Sequence, residues 1–137
     1  GEQSESVKMN SSQLNNAQID SSQSSNAQID SAMMISRTFG CVVAAKSADT
    51  YVVDASEIYS EGNVFKNDRG NSGMATAGSG DVLAGCITAL MGQGLNPFEA
   101  ACAGVQLHAI AGDRAAAAHS EAWIMASDIC DNLGLDM

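Results

Sequence analysis

The stretch GNSGMATAGSGDVLAG, residues 70–85, sets glycines at 70, 73, 78, 80 and 85 and carries a single charge, Asp81, just where an apolar run begins. Glycine lacks a Cβ, so it permits positive φ and lets backbone N–H groups approach a ligand closely, at a cost in conformational entropy. Beyond Asp81, the residues Val82, Leu83, Cys86, Ile87, Leu90 and Met91 recur at three- and four-residue intervals. That spacing predicts an amphipathic helix opening near Ser79 to Asp81 and closing at GQG, 92–94. A helix start carries unpaired N–H groups and partial positive charge, so a glycine-rich approach makes it an anion site. Gly78 and Gly80 would let the N–H groups of Ser79, Gly80 and Asp81 point at phosphate oxygens, with Asp81 placed to take a proton from a hydroxyl there. The plainer reading is that Asp81 is only a favourable helix-start charge, worth about 0.3 to 1 kcal/mol. GSGD alone does not separate the two. The stretch is not a P-loop, which needs Lys after the last glycine, nor a dinucleotide fingerprint, which needs GxGxxG soon after the first strand.

Working outward, CVVAA (41–45) and TYVVD (50–54) read as strands, with a weaker third in GNVFKN (62–67). The unbroken apolar run of the first points to a sheet covered on both faces rather than an exposed hairpin. Upstream, IDSAMMISRTFG (29–40) predicts a short helix with Ala32, Met33, Ile35 and Phe39 as its apolar residues and Gly40 as its stop. Downstream, Asn96 precedes Pro97 and Glu99, giving a capping residue, a proline at the first helical position and an acid three residues after the cap. SDICDNL (127–133) predicts a last short helix starting at Ser127. Residues 1–30 are rich in Ser, Gln and Asn and hold NAQID twice, at 16–20 and 26–30. They read as a polar, flexible or surface-helical leader. Residues 31–137 then form the folded part, roughly a hundred residues with which to build a core.

The net charge of −10 comes from sixteen acidic against six basic side chains. Such a field repels phosphate backbones and anionic membranes, which excludes a general nucleic-acid or membrane-surface binder. A small anion remains compatible, because local N–H groups can hold it. Cys41, Cys86, Cys102 and Cys130 show no CxxC spacing and read as reduced core thiols, with no metal site expected. No basic-then-apolar start and no apolar run of about 20 residues occurs, so a cytoplasmic protein is the expectation. His108, Trp123, Met33 and Met34 read as packing residues. Asp113 reads equally as facing the site or as an exposed helix carboxylate beside Arg114.

The full string GNSGMATAGSGDVLAG resembles the signature of the ADP- or ATP-dependent NAD(P)H-hydrate dehydratases, a branch of the ribokinase-like superfamily. The resemblance extends through VVAAKSADT (42–50), AACAGVQLHAIAGDRAA (100–116) and ASDICDNL (126–133), and so covers about residues 30 to 135. It implies an α/β fold of ribokinase-like type, here the C-terminal half: a few strands, then three helices. It places the adenosine-phosphate contacts on Lys46, Ser47, Ala48, Asp49 and Thr50, which match the family's KGxxT block, and on Gly80. Asp81 is then both the substrate contact and the base, with Gly78 and Ser79 in the anion cradle. The implied cofactor is ADP or ATP, with Mg2+ as the nucleotide's companion ion, and the implied substrate is NADH or NADPH hydrate. The nucleotide phosphorylates the hydroxyl of the hydrate, and phosphate then leaves to restore the dihydropyridine ring.

Three positions depart from the family pattern: Ser47 stands for a glycine, Ser72 for a proline and Ala77 for the first glycine of a pair. The matching stretch is also about half as long as the family's domain, whose first half supplies central parallel strands and part of the substrate site. Two functional readings follow, an active dehydratase or a catalytically silent nucleotide-binding or oligomerising module. Another ribokinase-like transferase acting on a small alcohol is a third, which the glycine-rich string disfavours. A half-sheet with an open edge would tend to pair with another chain, pointing to a homo-oligomer.

Overall fold

The computed structural model describes residues 11–57 and 62–134, with side chains from residue 23 onward. Its centre is the strand β2, Tyr51–Asp54, whose first three residues are all buried. It pairs antiparallel with β1, Val43–Ala45, setting Val43 opposite Val53. On its other side it pairs antiparallel with β3, Asn63–Lys66, setting Val52 opposite Phe65. Side chains alternate across a strand, so β2 serves two cores at once. Tyr51 and Val53 join Ala55 and Ala32 in one cluster, while Val52 joins Leu83, Ala101 and Val105 in the other. The sheet is therefore covered on both faces, as its apolar run requires, although its strands are linked as an antiparallel meander.

One cover is α1, Ser11–Phe39. The expected short helix is thus longer and runs unbroken across residue 30, the expected end of the leader. Its sheet-facing stripe is Ile29, Ala32, Met33 and Ser36, spaced as one helical face. Ser36 is fully buried, and its hydroxyl oxygen accepts the Ala55 N–H at 2.8 Å. Ile35 and Phe39, expected on the apolar face, are exposed, as is Met34 at 65 %. The helix ends where expected: Gly40 takes φ +60 and its N–H bonds to Ser36 O at 2.9 Å. The side chains of the first NAQID copy, 16–20, lie outside the described residues.

The other cover is α2, Ser79–Gly92, packed on α3, Pro97–His119. The start of α3 follows its sequence signals: Asn96 Oδ1 accepts the Glu99 N–H at 2.9 Å, and Pro97 occupies the first turn. The last helix, α4, runs Ala126–Asp131. It begins one residue before the expected Ser127, because the Asp128 carboxylate reaches back to the Met125 N–H at 2.8 Å. Trp123, expected in the core, is 78 % exposed, and its neighbour Ile124 is the buried residue. All four cysteines are free, but none belongs to the fully buried core. Cys41 and Cys130 are exposed, and Cys86 and Cys102 are half-buried with burial pushing their thiols upward. Among the described residues no helix is long and apolar enough to cross a membrane.

Candidate functional site

A cavity of about 670 Å3 opens between the β1–β2 turn, the segment after β3 and the facing sides of α2 and α3. Lys46, Ser47, Ala48 and Thr50 form one wall. Asn67, Arg69 and the front of the glycine-rich loop, Gly70 to Ser72 with Met74 and Ala75, continue the lining, and the Asn67 N–H joins it to the turn at Thr50 O, 2.9 Å away. Leu83, Val105, His108 and Ala109 supply a largely apolar floor. Two cations, Lys46 and Arg69, thus line a cavity in a strongly acidic protein, a local field that favours an anion.

The turn wall is held from two sides. Gln28 on α1 donates from Nε2 to Ala45 O at 2.9 Å and Asp49 O at 3.2 Å, and its Oε1 lies 2.8 Å from Ser47 Oγ. Asp49 does not line the cavity. Its carboxylate pairs with Lys66 Nζ at 3.0 Å, which raises the Lys66 pKa.

The glycine-rich loop is held mainly by α3. Asp113 accepts the Gly70 N–H at 3.2 Å and Asn71 Nδ2 at 3.0 Å, one on each oxygen. Asn71 Oδ1 in turn accepts the Gly73 N–H at 3.1 Å, capping a short 3-10 turn at Ser72–Met74. Ser72 donates to Glu121 Oε2 at 2.6 Å. At the far end of the loop, His108 Nε2 lies 2.9 Å from Ser79 O and 3.3 Å from Ser79 Oγ. A carbonyl oxygen only accepts, so that geometry assigns the proton to Nε2. Burial, with Lys46 nearby, lowers the His108 pKa against the opposing pull of the Ser79 carbonyl, which favours the neutral ring. The HAIAGD segment (108–113) is therefore a template on which both ends of the loop are laid. The equal reading of Asp113 resolves toward the loop, and His108 proves a buried residue with a specific partner.

At the start of α2, Gly78 adopts φ +83 and its carbonyl accepts the N–H groups of Asp81 at 3.0 Å and Val82 at 3.1 Å. The Ser79 N–H bonds to Thr76 O at 3.3 Å. Of the three N–H groups expected to face an anion, Gly80's is the one without a partner among the described residues, and nothing crowds the position of its absent Cβ. Asp81 is exposed in the first turn of α2. Gly78, Ser79, Gly80 and Asp81 do not line the cavity themselves; Ser79 is tied to its floor through His108. The structure brings the Lys46–Thr50 turn and the front of the loop onto one cavity, and sets Gly80 and Asp81 at the loop's far end. Among the described residues, no three His, Cys, Asp or Glu side chains gather to hold a metal.

Sequence reasoning missed Gln28 and Asn67. Gln28 lies in the second NAQID copy, and its repetition there was its only signal. Asn67 is buried, donates from Nδ2 to Arg69 O at 2.6 Å and leaves Oδ1 without a partner. Nothing in the local sequence distinguishes it.

An α/β arrangement of this kind matches the fold of solved NAD(P)H-hydrate dehydratase structures. The chain superposes on the ADP/ATP-dependent NAD(P)H-hydrate dehydratase from Bacillus subtilis, co-crystallised with ATP/Mg2+, with a TM-score of 0.70 and 23 % identity. The match covers 80 % of this chain and 38 % of that one. The NAD(P)H-hydrate dehydratase family model matches residues 7–133, and the chain belongs to that family. It is 44 % identical over 102 residues to a bifunctional NAD(P)H-hydrate repair enzyme of Moorella thermoacetica, covering 74 % of this chain and 18 % of the relative. It is 46 % identical over 79 residues to the ADP-dependent (S)-NAD(P)H-hydrate dehydratase of Neisseria meningitidis, covering 58 % of this chain and 25 % of the relative. The chain spans about a fifth to a quarter of the length of these two relatives.

Proposed function

We propose that the chain carries the nucleotide side and the catalytic carboxylate of an ADP- or ATP-dependent NAD(P)H-hydrate dehydratase. The observation that supports this most directly is the cavity walled by the Lys46–Thr50 turn and the glycine-rich loop, with two cations on its lining and the loop running on to Gly80 and Asp81. In this reading the turn and Gly80 hold the adenosine phosphate, Gly78 and Ser79 shape the cradle, and Lys46 offsets phosphate charge. No cluster of His, Cys, Asp or Glu among the described residues would hold Mg2+, so the ion would come with the nucleotide and offset phosphate charge. Asp81 takes the proton of the substrate hydroxyl as its oxygen attacks the terminal phosphorus, and the bond to the remaining nucleotide breaks. Phosphate then departs with the C–O bond, a ring C–H proton is lost, and the dihydropyridine double bond returns.

The test is to supply the purified chain with ADP or ATP and hydrated NADH, and to follow recovery of dihydropyridine absorbance. Turnover that falls about 10²- to 10⁴-fold in Asp81→Asn, with ADP affinity kept, supports the assignment of Asp81 as base. Tight ADP binding without turnover in the unsubstituted chain supports the silent nucleotide-binding module instead. Absence of both turnover and ADP binding overturns the nucleotide reading.

A further inference from the structure

The ladder between β1 and β2 ends at the Ala45–Tyr51 pair, and residues 46–50 continue beyond it as the cavity wall. One side chain from another element bonds once to the last residue of β1 and twice to this turn. Gln28 binds Ala45 O and Asp49 O through Nε2, and its Oε1 faces the Ser47 hydroxyl. A carboxamide is suited to the task because it offers two donors and an acceptor on one planar group. Glutamate would set a negative oxygen against two carbonyl oxygens. Gln28 is itself held in place, since Ile29, Ala32 and Met33 on the same helix pack against the sheet core.

Ser47 gives the contact its particular character. A glycine at this position would offer Gln28 no side-chain partner. Here the hydroxyl has two acceptors within reach, Gln28 Oε1 at 2.8 Å and Asp49 O at 2.7 Å. The serine needs no special backbone: among the described non-glycine residues only Ser120 has positive φ. The turn's hydroxyl is thus matched by a partner on α1, nineteen residues earlier in the chain.

We propose that Gln28 is a positioning residue for the Lys46–Thr50 turn, acting with Ser47 as a latch that sets this wall of the cavity for the phosphate-bearing part of an adenine nucleotide. The ligand part of this inference rests on the function proposed above, whereas the latch is a property of the chain alone. Because coupling is reciprocal, a nucleotide seated on the turn also steadies the docking of α1.

The experiment compares the unsubstituted chain with Gln28→Ala, Gln28→Glu, Ser47→Gly and the Gln28→Ala/Ser47→Gly pair, using backbone 15N relaxation and ADP calorimetry. In the unsubstituted chain the order parameters of residues 46–50 are expected near about 0.85, the value of rigid backbone. In Gln28→Ala they fall below about 0.6 while β2 and α3 stay rigid, and ADP affinity drops about tenfold, the scale of one or two lost hydrogen bonds. Ser47→Gly leaves both carbonyl contacts in place and costs less. The double variant loses less than the sum of the two single variants, because both remove the Ser47–Gln28 contact, yet more than Gln28→Ala alone, because the Ser47 bond to Asp49 O goes too. Gln28→Glu keeps an acceptor for Ser47 yet loosens the turn at least as much as Gln28→Ala. Three results overturn the latch: a turn already mobile in the unsubstituted chain, a turn unchanged by Gln28→Ala, or a loss of order spread evenly over β2 and α3. If the unsubstituted chain binds no ADP, the nucleotide reading falls alone, and the relaxation of residues 46–50 still decides the latch.

Discussion

Ala77 carries a methyl where the resembled family has the first glycine of a pair, and the loop accommodates it because the left-handed conformation falls on Gly78, at φ +83. An L side chain at Gly78 is strained there, and its Cβ would also come 3.2 Å from the Ala126 methyl. Gly78→Ala is therefore expected to lower unfolding free energy by about 1–2 kcal/mol in urea titration. At Gly112 a Cβ would meet the Met74 side chain, which would have to shift to make room. His108 gives a pH signature. Its folded pKa is lowered from the usual 6.5, chiefly by burial. Below that value the unfolded chain binds a proton that the folded chain resists, so stability is fully present above about pH 6.5 and declines as pH falls toward the folded pKa. Thermal melts across that window should show the decline, and His108→Gln, which keeps a donor for Ser79 O but does not titrate, should lessen it.

Helices α2 and α3 were legible because their signals are contiguous: glycines and an acid at one start, Asn96 and Pro97 at the other, then a 3.6-residue apolar period. The strands were legible for the same reason. Helix α1 was only partly so, because its early segment is built from Ser, Gln and Asn, and the buried stripe of its later part includes a serine. Ser36 carries no apolar signal, yet it is fully buried as the acceptor for the Ala55 N–H. Ser36→Ala should cost about 1–3 kcal/mol, since a buried N–H loses its partner. Ser31→Ala on the same helix removes only an exposed bond to Ala27 O and should stay within about 0.5 kcal/mol. Paired denaturation curves check both. A sequence reading that scores hydrophobicity alone ranks these two serines equally.

The whole chain is acidic at −10, while the cavity that unites its two halves is lined by Lys46 and Arg69. An anion that enters bridges the β1–β2 turn and the glycine-rich loop, so it should stabilise the folded state as a unit. ADP at a hundred times its dissociation constant is expected to add about 2.7 kcal/mol and to raise the melting temperature accordingly. A melting temperature that does not respond to ADP removes the nucleotide from this cavity. By itself the sequence determined the family, the α/β class, the helix starts at Ser79 and Pro97 and the glycine-rich approach to Asp81, because each is written in neighbouring residues. Only the tertiary structure decided what holds that approach. Asp113 meets Gly70 across 43 positions, His108 meets Ser79 across 29 and Gln28 meets Ser47 across 19. These contacts depend on how α1 and α3 pack against opposite faces of one small sheet, and no local pattern of residues encodes that path.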